Sequence, residues 1–272
     1  MGKVIGLHFG LNKLGFKPPK PVDELRYAEN DALAYHQICA DLGWSSKYFL
    51  GSNATLSTFL EEIIKLSHNS VKDDLVVITF SGHGTRVEDI NLDEKDEYDE
   101  ILVFYDRLLL DDLVKVQFSR FKRGVNILFI TDCCHSGTIS RLFGEEEKDE
   151  EEFITRGFDA ETGQLIFDAN PEYKIMKQSI NERAVNIEAS IIHLAACQDD
   201  ETAYDGSVIM KHGLLTHRLL KTWDKGSFSG TYSDFFLHIE SQMGGNQNPK
   251  LNFEGVVNDS FIQSKPFNQI IS

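Results

Sequence analysis

The stretch Asn-Ile-Leu-Phe-Ile-Thr-Asp-Cys-Cys-His-Ser-Gly, residues 126–137, constrains this chain more than any other. It opens as an uncharged run, Ile127 to Ile130, and such a run reads as a strand buried on both faces. It ends abruptly in an acid, two thiols, an imidazole, a hydroxyl and a glycine. Polar groups just past such a strand lie at its C-terminal end, where ligands and chemistry gather in open α/β sheets. A second stretch has the same design. Leu75 to Phe80 is apolar and rich in β-branched residues, and it runs straight into Ser81-Gly82-His83-Gly84-Thr85. If the two strands are parallel neighbours, His83 and Cys134 emerge side by side. A thiol needs a base or a cationic neighbour to become a thiolate near neutral pH, and His83 is the candidate. The glycines flanking His83 permit unusual backbone conformations and let a substrate approach closely.

The rest of the chain alternates strands with helices. Strands are expected at 3–9, 47–50, 75–80, 126–131 and 191–196, with a last one near Lys250 and a short β element at 101–105. Helices are expected at 25–42, from a cap at Asn53 or Thr55 to about His68, from Asp111 to about Phe121, at 213–223 and at 231–243. Gly43 stops the first helix, and the apolar stripe Leu56, Phe59, Leu60, Ile63, Ile64 marks the second. This alternation implies an α/β fold, a largely parallel sheet with helices on both faces. Residues 88–100 are densely acidic and read as a loop. A long insert near 143–190, opening on Glu145 to Glu152 with Lys148 among them, is functional or disordered by length alone.

At 272 residues and a formal net charge of −16, the chain can bury a full core and repels nucleic-acid phosphates. The acidity favours basic peptide partners or simply keeps the protein in solution. No apolar run approaches the roughly 18 residues of a membrane span. Met1-Gly2 is followed by Gly6 where a myristoylation signal needs Ser or Thr. The four cysteines, Cys39, Cys133, Cys134 and Cys197, lack zinc-site spacing and read as reduced thiols. A soluble cytoplasmic protein with no membrane or nucleic-acid partner is the expectation.

Ser81-Gly82-His83-Gly84-Thr85 followed by Asp132-Cys133-Cys134-His135-Ser136-Gly137 resembles the metacaspases and bacterial orthocaspases of the caspase-like cysteine peptidases. The gap from His83 to Cys134 is 51 residues, close to the spacing of about 50 known for caspases. The resemblance continues at Asn30-Asp31-Ala32, at 196–203 and at Gln247-Asn248-Pro249-Lys250-Leu251. It implies a single caspase-like domain, 1–272, with a six-stranded central sheet. A large-subunit-like portion would span 1–143, a linker 144–190 and a small-subunit-like portion 191–272. In such chains the linker separates the two portions and can be cut, and Lys148, Arg156 and Arg183 are the basic sites in it; an uncut solvated loop is the alternative.

The resemblance selects Cys134, immediately before His-Ser-Gly, as nucleophile and His83 as its base, with backbone N–H groups of Gly84 and Cys134 holding the oxyanion. Cys133 and His135 are then structural. Asp132 lies two residues before Cys134, and alternation along an extended chain places both on one side. Carried over by motif, Asp31, Asp132 and Asp205 are pocket acids for Arg or Lys at the cleavage position, with Ser81 in the wall. The alternative for Asp31 and Asp132 is ordinary capping and loop hydrogen bonding. Asp99, Asp111 and Asp112 match positions that some metacaspases use for calcium, while Arg141 stands where a further acid would be. No cofactor is required, and a solvated acidic face is the alternative to a calcium site.

The implied function is a cysteine endopeptidase cutting protein or peptide substrates after Arg or Lys, controlled by calcium, linker cleavage or a regulatory protein partner. Cleavage with another preference, such as after Asp, and an inactive interaction scaffold are the rivals. Resemblance to short orthocaspases permits a bacterial defence role.

Overall fold

The computed structural model describes residues 2–89, 98–135, 154–180, 185–198, 201–244 and 247–268. Ser136, Gly137, Arg141, Lys148 and Arg183, and the acidic stretches 90–97 and 145–152, lie outside the described residues.

The central sheet has six strands among the described residues: β1 (Val4–Gly10), β2 (Ser45–Leu50), β3 (Leu75–Ser81), β7 (Asn126–Asp132), β8 (Ser190–Ala195) and β9 (Lys250–Gly255). Their order is β2-β1-β3-β7-β8-β9. All neighbours are parallel except β8 and β9, which run antiparallel. The uncharged runs fix this arrangement. Every residue of β3 and of β7 is buried, whereas edge strands β2 and β9 carry exposed positions. Strands buried on both faces need helices on both sides.

Those helices are α1 (Ala28–Asp41), α2 (Leu56–Asn69), α3 (Asp111–Phe118), α6 (Leu214–Trp223), α7 (Tyr232–Glu240) and the short α8 (Asp259–Ile262). Alternation splits the core in two. Val77 and Leu128 pack with Tyr35, Leu215 and Phe235 on one face. Val76 and Ile127 pack with Phe59, Ile63 and Phe118 on the other. Each apolar side chain so enclosed contributes roughly 1.5–3 kcal/mol relative to exposure.

Several boundaries differ from the expectation for local reasons. Helix α1 starts at Ala28 rather than Leu25; ahead of it the Leu25 and Arg26 N–H groups donate to the Asn12 carbonyl and the Asp205 carboxylate. Asn12 Oδ1 instead accepts from the Glu29 N–H inside the first turn. Thr55, not Asn53, caps α2, its hydroxyl accepting from the Thr58 N–H. The two ends of the acidic run are strands, not loop: β4 (His83–Glu88) pairs antiparallel with β5 (Tyr98–Val103), which pairs with β6 (Leu108–Leu110).

The larger correction concerns the insert. Residues 154–180 hold an extended segment followed by α4 (Ala160–Asp168) and α5 (Pro171–Ser179). Asp159 caps α4 through the Thr162 N–H, and Pro171 sits in the first turn of α5. Phe158, Ile166, Phe167 and Tyr173 close a third small core over β4, β5 and β6. The helices are therefore the roof of the smaller sheet.

Candidate active site

Strands β3 and β7 are paired in register, Ser81 opposite Asp132. Two residues further along each chain stand His83 and Cys134, so both leave the same sheet edge. The two adjacent cysteines point to opposite faces, as alternation requires. Cys133 packs into the α2–α3 core and Cys134 into the α1–α6 core. Asp132 lies on the Cys134 side, where its Oδ2 accepts from the Thr216 N–H at 3.0 Å and hydroxyl at 2.6 Å on α6.

His83 is buried, and its Nε2–H donates to the Asp23 carbonyl at 2.8 Å. That bond fixes the tautomer and leaves Nδ1 as the lone-pair nitrogen, with no hydrogen-bond partner among the described residues. Burial pulls the imidazole down to about 4, the nearby Arg156 charge adding to the effect. The group is thus neutral near pH 7 and able to accept a proton. His135 is tied elsewhere, its Nδ1–H donating to the Thr85 carbonyl at 3.2 Å. Gly82 and Gly84 have no positive φ, so conformational freedom is not why glycine stands beside His83. At Gly84 the reason is close approach, since a Cβ there would collide with the Cys134 carbonyl.

The site is filled by the chain itself. Segment 154–158 lies extended across it, with bridges Gly84 to Gly157 and Thr155 to Tyr204. The Arg156 carbonyl oxygen accepts from the backbone N–H of Gly84 and of Cys134, each at 3.0 Å. These are the two donors expected to hold an oxyanion. A Cβ on Gly157 would lie 2.5 Å from Cys134 Sγ, so the thiol sits directly against the Arg156–Gly157 peptide.

The Arg156 side chain is fully buried among three carboxylates. Nε and Nη2 donate to Asp205 Oδ1 at 3.1 and 2.9 Å, and Nη1 lies 2.7 Å from Asp31 Oδ2 and 3.3 Å from Asp132 Oδ1. Gly213 makes room for the guanidinium, since a Cβ there would lie 2.5 Å from Cζ. Burial opposes the charge, but Asp132, Asp31 and Asp205 outweigh it, so the guanidinium is held more firmly protonated than usual. With three acids around one cation, burial pushes the Asp31 carboxyl up against the pull of Arg156 and His212.

The Caspase domain family matches residues 15–259. The chain belongs to that family. The family is a peptidase family. Metacaspase-1 of Arabidopsis thaliana is 30% identical over 168 residues, covering 58% of this chain and 41% of that protein. Metacaspase III c of Phaeodactylum tricornutum is 33% identical over 97 residues, 34% of this chain and 28% of that one. The chain thus matches less than half the length of these curated relatives. A crystal structure of a protein from Geobacter sulfurreducens superposes with a TM-score of 0.84 at 28% identity, covering 99% of this chain and 100% of that one.

Against the sequence expectations, the caspase-type site brings together His83, Cys134, Gly84, Asp31, Asp132 and Asp205. Asp205 makes more hydrogen bonds to Arg156 than either other acid. Ser81 is buried beside them, but its hydroxyl makes no hydrogen bond among the described residues. Asp99, Asp111 and Asp112 do converge, with one ligand atom of each within 4.8 Å of the others. Lys177 stands among them, however, its ammonium bonded to Asp99 Oδ2. Sequence reasoning missed Lys177, Asp23, Gly213 and Thr216, and it named Arg156 only as a basic site in the linker. The signal available for Arg156 was its pairing with a following glycine, the one residue that fits against Cys134 Sγ.

Proposed function

We propose that the protein is a cysteine endopeptidase that cleaves after Arg or Lys, with Cys134 as nucleophile and His83 as proton carrier. One observation carries this reading: Arg156–Gly157 is bound as a substrate would be, guanidinium on Asp31, Asp132 and Asp205, carbonyl on two N–H donors. A pocket of three buried carboxylates matches a planar cation and repels an acidic side chain.

In the reaction, His83 Nδ1 takes the Cys134 proton and Sγ attacks the carbonyl carbon of the arginyl residue. The developing oxyanion rests on the N–H groups of Gly84 and Cys134. The carbon–nitrogen bond then breaks, and His83 returns the proton to the departing amine. Water hydrolyses the thioester, giving a carboxylate and the free thiol. The same chemistry on the chain's own segment is linker cleavage between Arg156 and Gly157. Until that bond is cut and the segment leaves, Arg156 blocks the pocket against other substrates. Four free, buried cysteines fit a reducing compartment, which supports a cytoplasmic location. Among the described residues no helix is long and apolar enough to cross a membrane.

The test is a peptide panel matched except at the cleavage position, carrying Arg, Lys, Gln or Asp, incubated with the purified protein. Cleavage after Arg and Lys is expected. Preferred cleavage after Asp, or none after any residue in a protein shown to be folded and freed of segment 154–158, defeats the reading.

A further inference from the structure

Arg156 is one of two Lys or Arg side chains that are buried among the described residues; the other is Lys177. Both belong to the insert, 21 residues apart (177 − 156). Each is planted in a cluster of acids contributed by the body of the domain. Lys177 Nζ bonds Asp99 Oδ2 and lies 3.3 Å from Asp89 Oδ1 and 3.9 Å from Asp112 Oδ2. All four side chains are almost wholly shielded from solvent. A buried ammonium is costly unless paired, so this geometry marks a site built around a cation. The cation comes from α5.

The cluster is also where the resemblance implies calcium. Asp99, Asp111 and Asp112 have the spacing, but their residues do not fit a metal ion in this arrangement. The ammonium already holds the Asp99 oxygen and stands beside Asp112, and Lys115 pairs with Asp111 at 3.1 Å. A divalent ion on the same oxygens would meet a fixed positive charge at contact distance. Seating Lys177 and binding a divalent cation are therefore mutually exclusive.

The location gives the exclusion a mechanical meaning. Asp89 follows the last residue of β4, the strand whose first residues are His83 and Gly84. Gly84 donates to the Arg156 carbonyl at one end of β4, and Asp89 meets Lys177 at the other. Between these anchors, Phe158, Phe167 and Tyr173 lie on the apolar side of β4 and β5. The segment is thus pinned at both ends by buried cations.

We infer that Lys177 is a tethered cation that fills the acidic cluster of Asp89, Asp99 and Asp112 in place of a metal ion, and so latches α4 and α5 over the smaller sheet. By linkage, whatever removes the ammonium opens the cluster to divalent cations and loosens the helices.

The test needs no catalysis, so its failure is separate from any failure of the peptidase reading. Full-length Cys134→Ala protein, which keeps segment 154–158 uncut, is compared with the same protein carrying Lys177→Met or Lys177→Arg. Calcium binding is read by titration calorimetry, and amide hydrogen exchange is read over α4 and α5. Lys177→Met should raise calcium affinity roughly ten- to a hundredfold and speed exchange in α5, whereas Lys177→Arg should do neither. Should Lys177→Met fail to fold, Asp89→Asn removes one partner of the ammonium while leaving the three metal-spaced acids, and it should still speed α5 exchange. Equal calcium affinity with and without the Lys177 ammonium overturns the inference, as does unchanged exchange in α5 in a folded Lys177→Met or Asp89→Asn protein.

Discussion

Replacing Asp205 with Ala should cost the protein its preference for Arg. Asp205 Oδ1 accepts from both Nε and Nη2 of Arg156, at 3.1 and 2.9 Å, with the pair buried. Truncating one partner of a buried, hydrogen-bonded charge pair costs about 2–5 kcal/mol. In kcat/KM that is roughly 30- to several thousandfold, at about 1.4 kcal/mol per factor of ten. Asp31 and Asp132 keep the cation partly compensated, which places the expected loss toward the lower end. The assay compares peptides carrying Arg or its neutral isostere citrulline at the cleavage position. Within one preparation the ratio of the two kcat/KM values does not depend on how much enzyme is still blocked by Arg156, so the ratio isolates the pocket. It should fall by about the factor above, with Asp205→Asn intermediate because an acceptor oxygen remains. An equal loss for Arg and citrulline peptides would show that Asp205 supports the fold and not the selection of charge.

Two further outcomes follow from the same geometry. Cys134→Ala should abolish cleavage without loss of fold, whereas Cys133→Ala, which empties a small volume on the α2–α3 face, should cost about 1 kcal/mol of stability and retain activity; peptide cleavage and denaturant unfolding on both variants decide this, and an inactive Cys133→Ala with an active Cys134→Ala reverses the assignment. Stability should also fall as pH drops below the ordinary histidine value of 6.5, because burial pulls His8 and His193 down to about 3 and His83 to about 4. The unfolded chain binds those protons first, so each histidine contributes stability that is present above 6.5 and lost as pH falls toward its folded value. The slope is about 1.4 kcal/mol per pH unit for each. Urea unfolding at stepped pH should show it, with a shallower slope in His193→Gln; stability that rises on acidification contradicts it.

The central sheet was legible in the sequence because its strands are runs such as Leu75 to Phe80 and Ile127 to Ile130, which have no use except burial on both faces. The neighbouring positions of His83 and Cys134 followed from two such runs ending in chemistry. The pocket acids Asp31 and Asp205 needed the family resemblance, since nothing local in α1 or in the segment after β8 says that they meet. The hairpin of β4 and β5 was hidden by charge: Thr85 and Val87 face inward, but the acids beyond Glu88 dominate any reading of composition. The insert was hardest to read. Its helices carry short-range signals, Asp159 before Thr162 and Asn170 before Pro171, yet the length of the insert and the acidic stretch that opens it read as a functional or disordered loop. That Arg156 and Lys177 would be buried could not be read at all, because a buried cation is defined by acids that lie far away in sequence.

The account rests on Cys134 acting on a bond whose arginyl side chain is held by Asp31, Asp132 and Asp205, and the chain carries such a bond in place. Intact mass and N-terminal sequencing of the purified protein test it directly. The wild type should yield one fragment ending at Arg156 and one beginning at Gly157, while Cys134→Ala stays whole. Cleavage at a different bond, or the same cleavage in Cys134→Ala, would contradict the account.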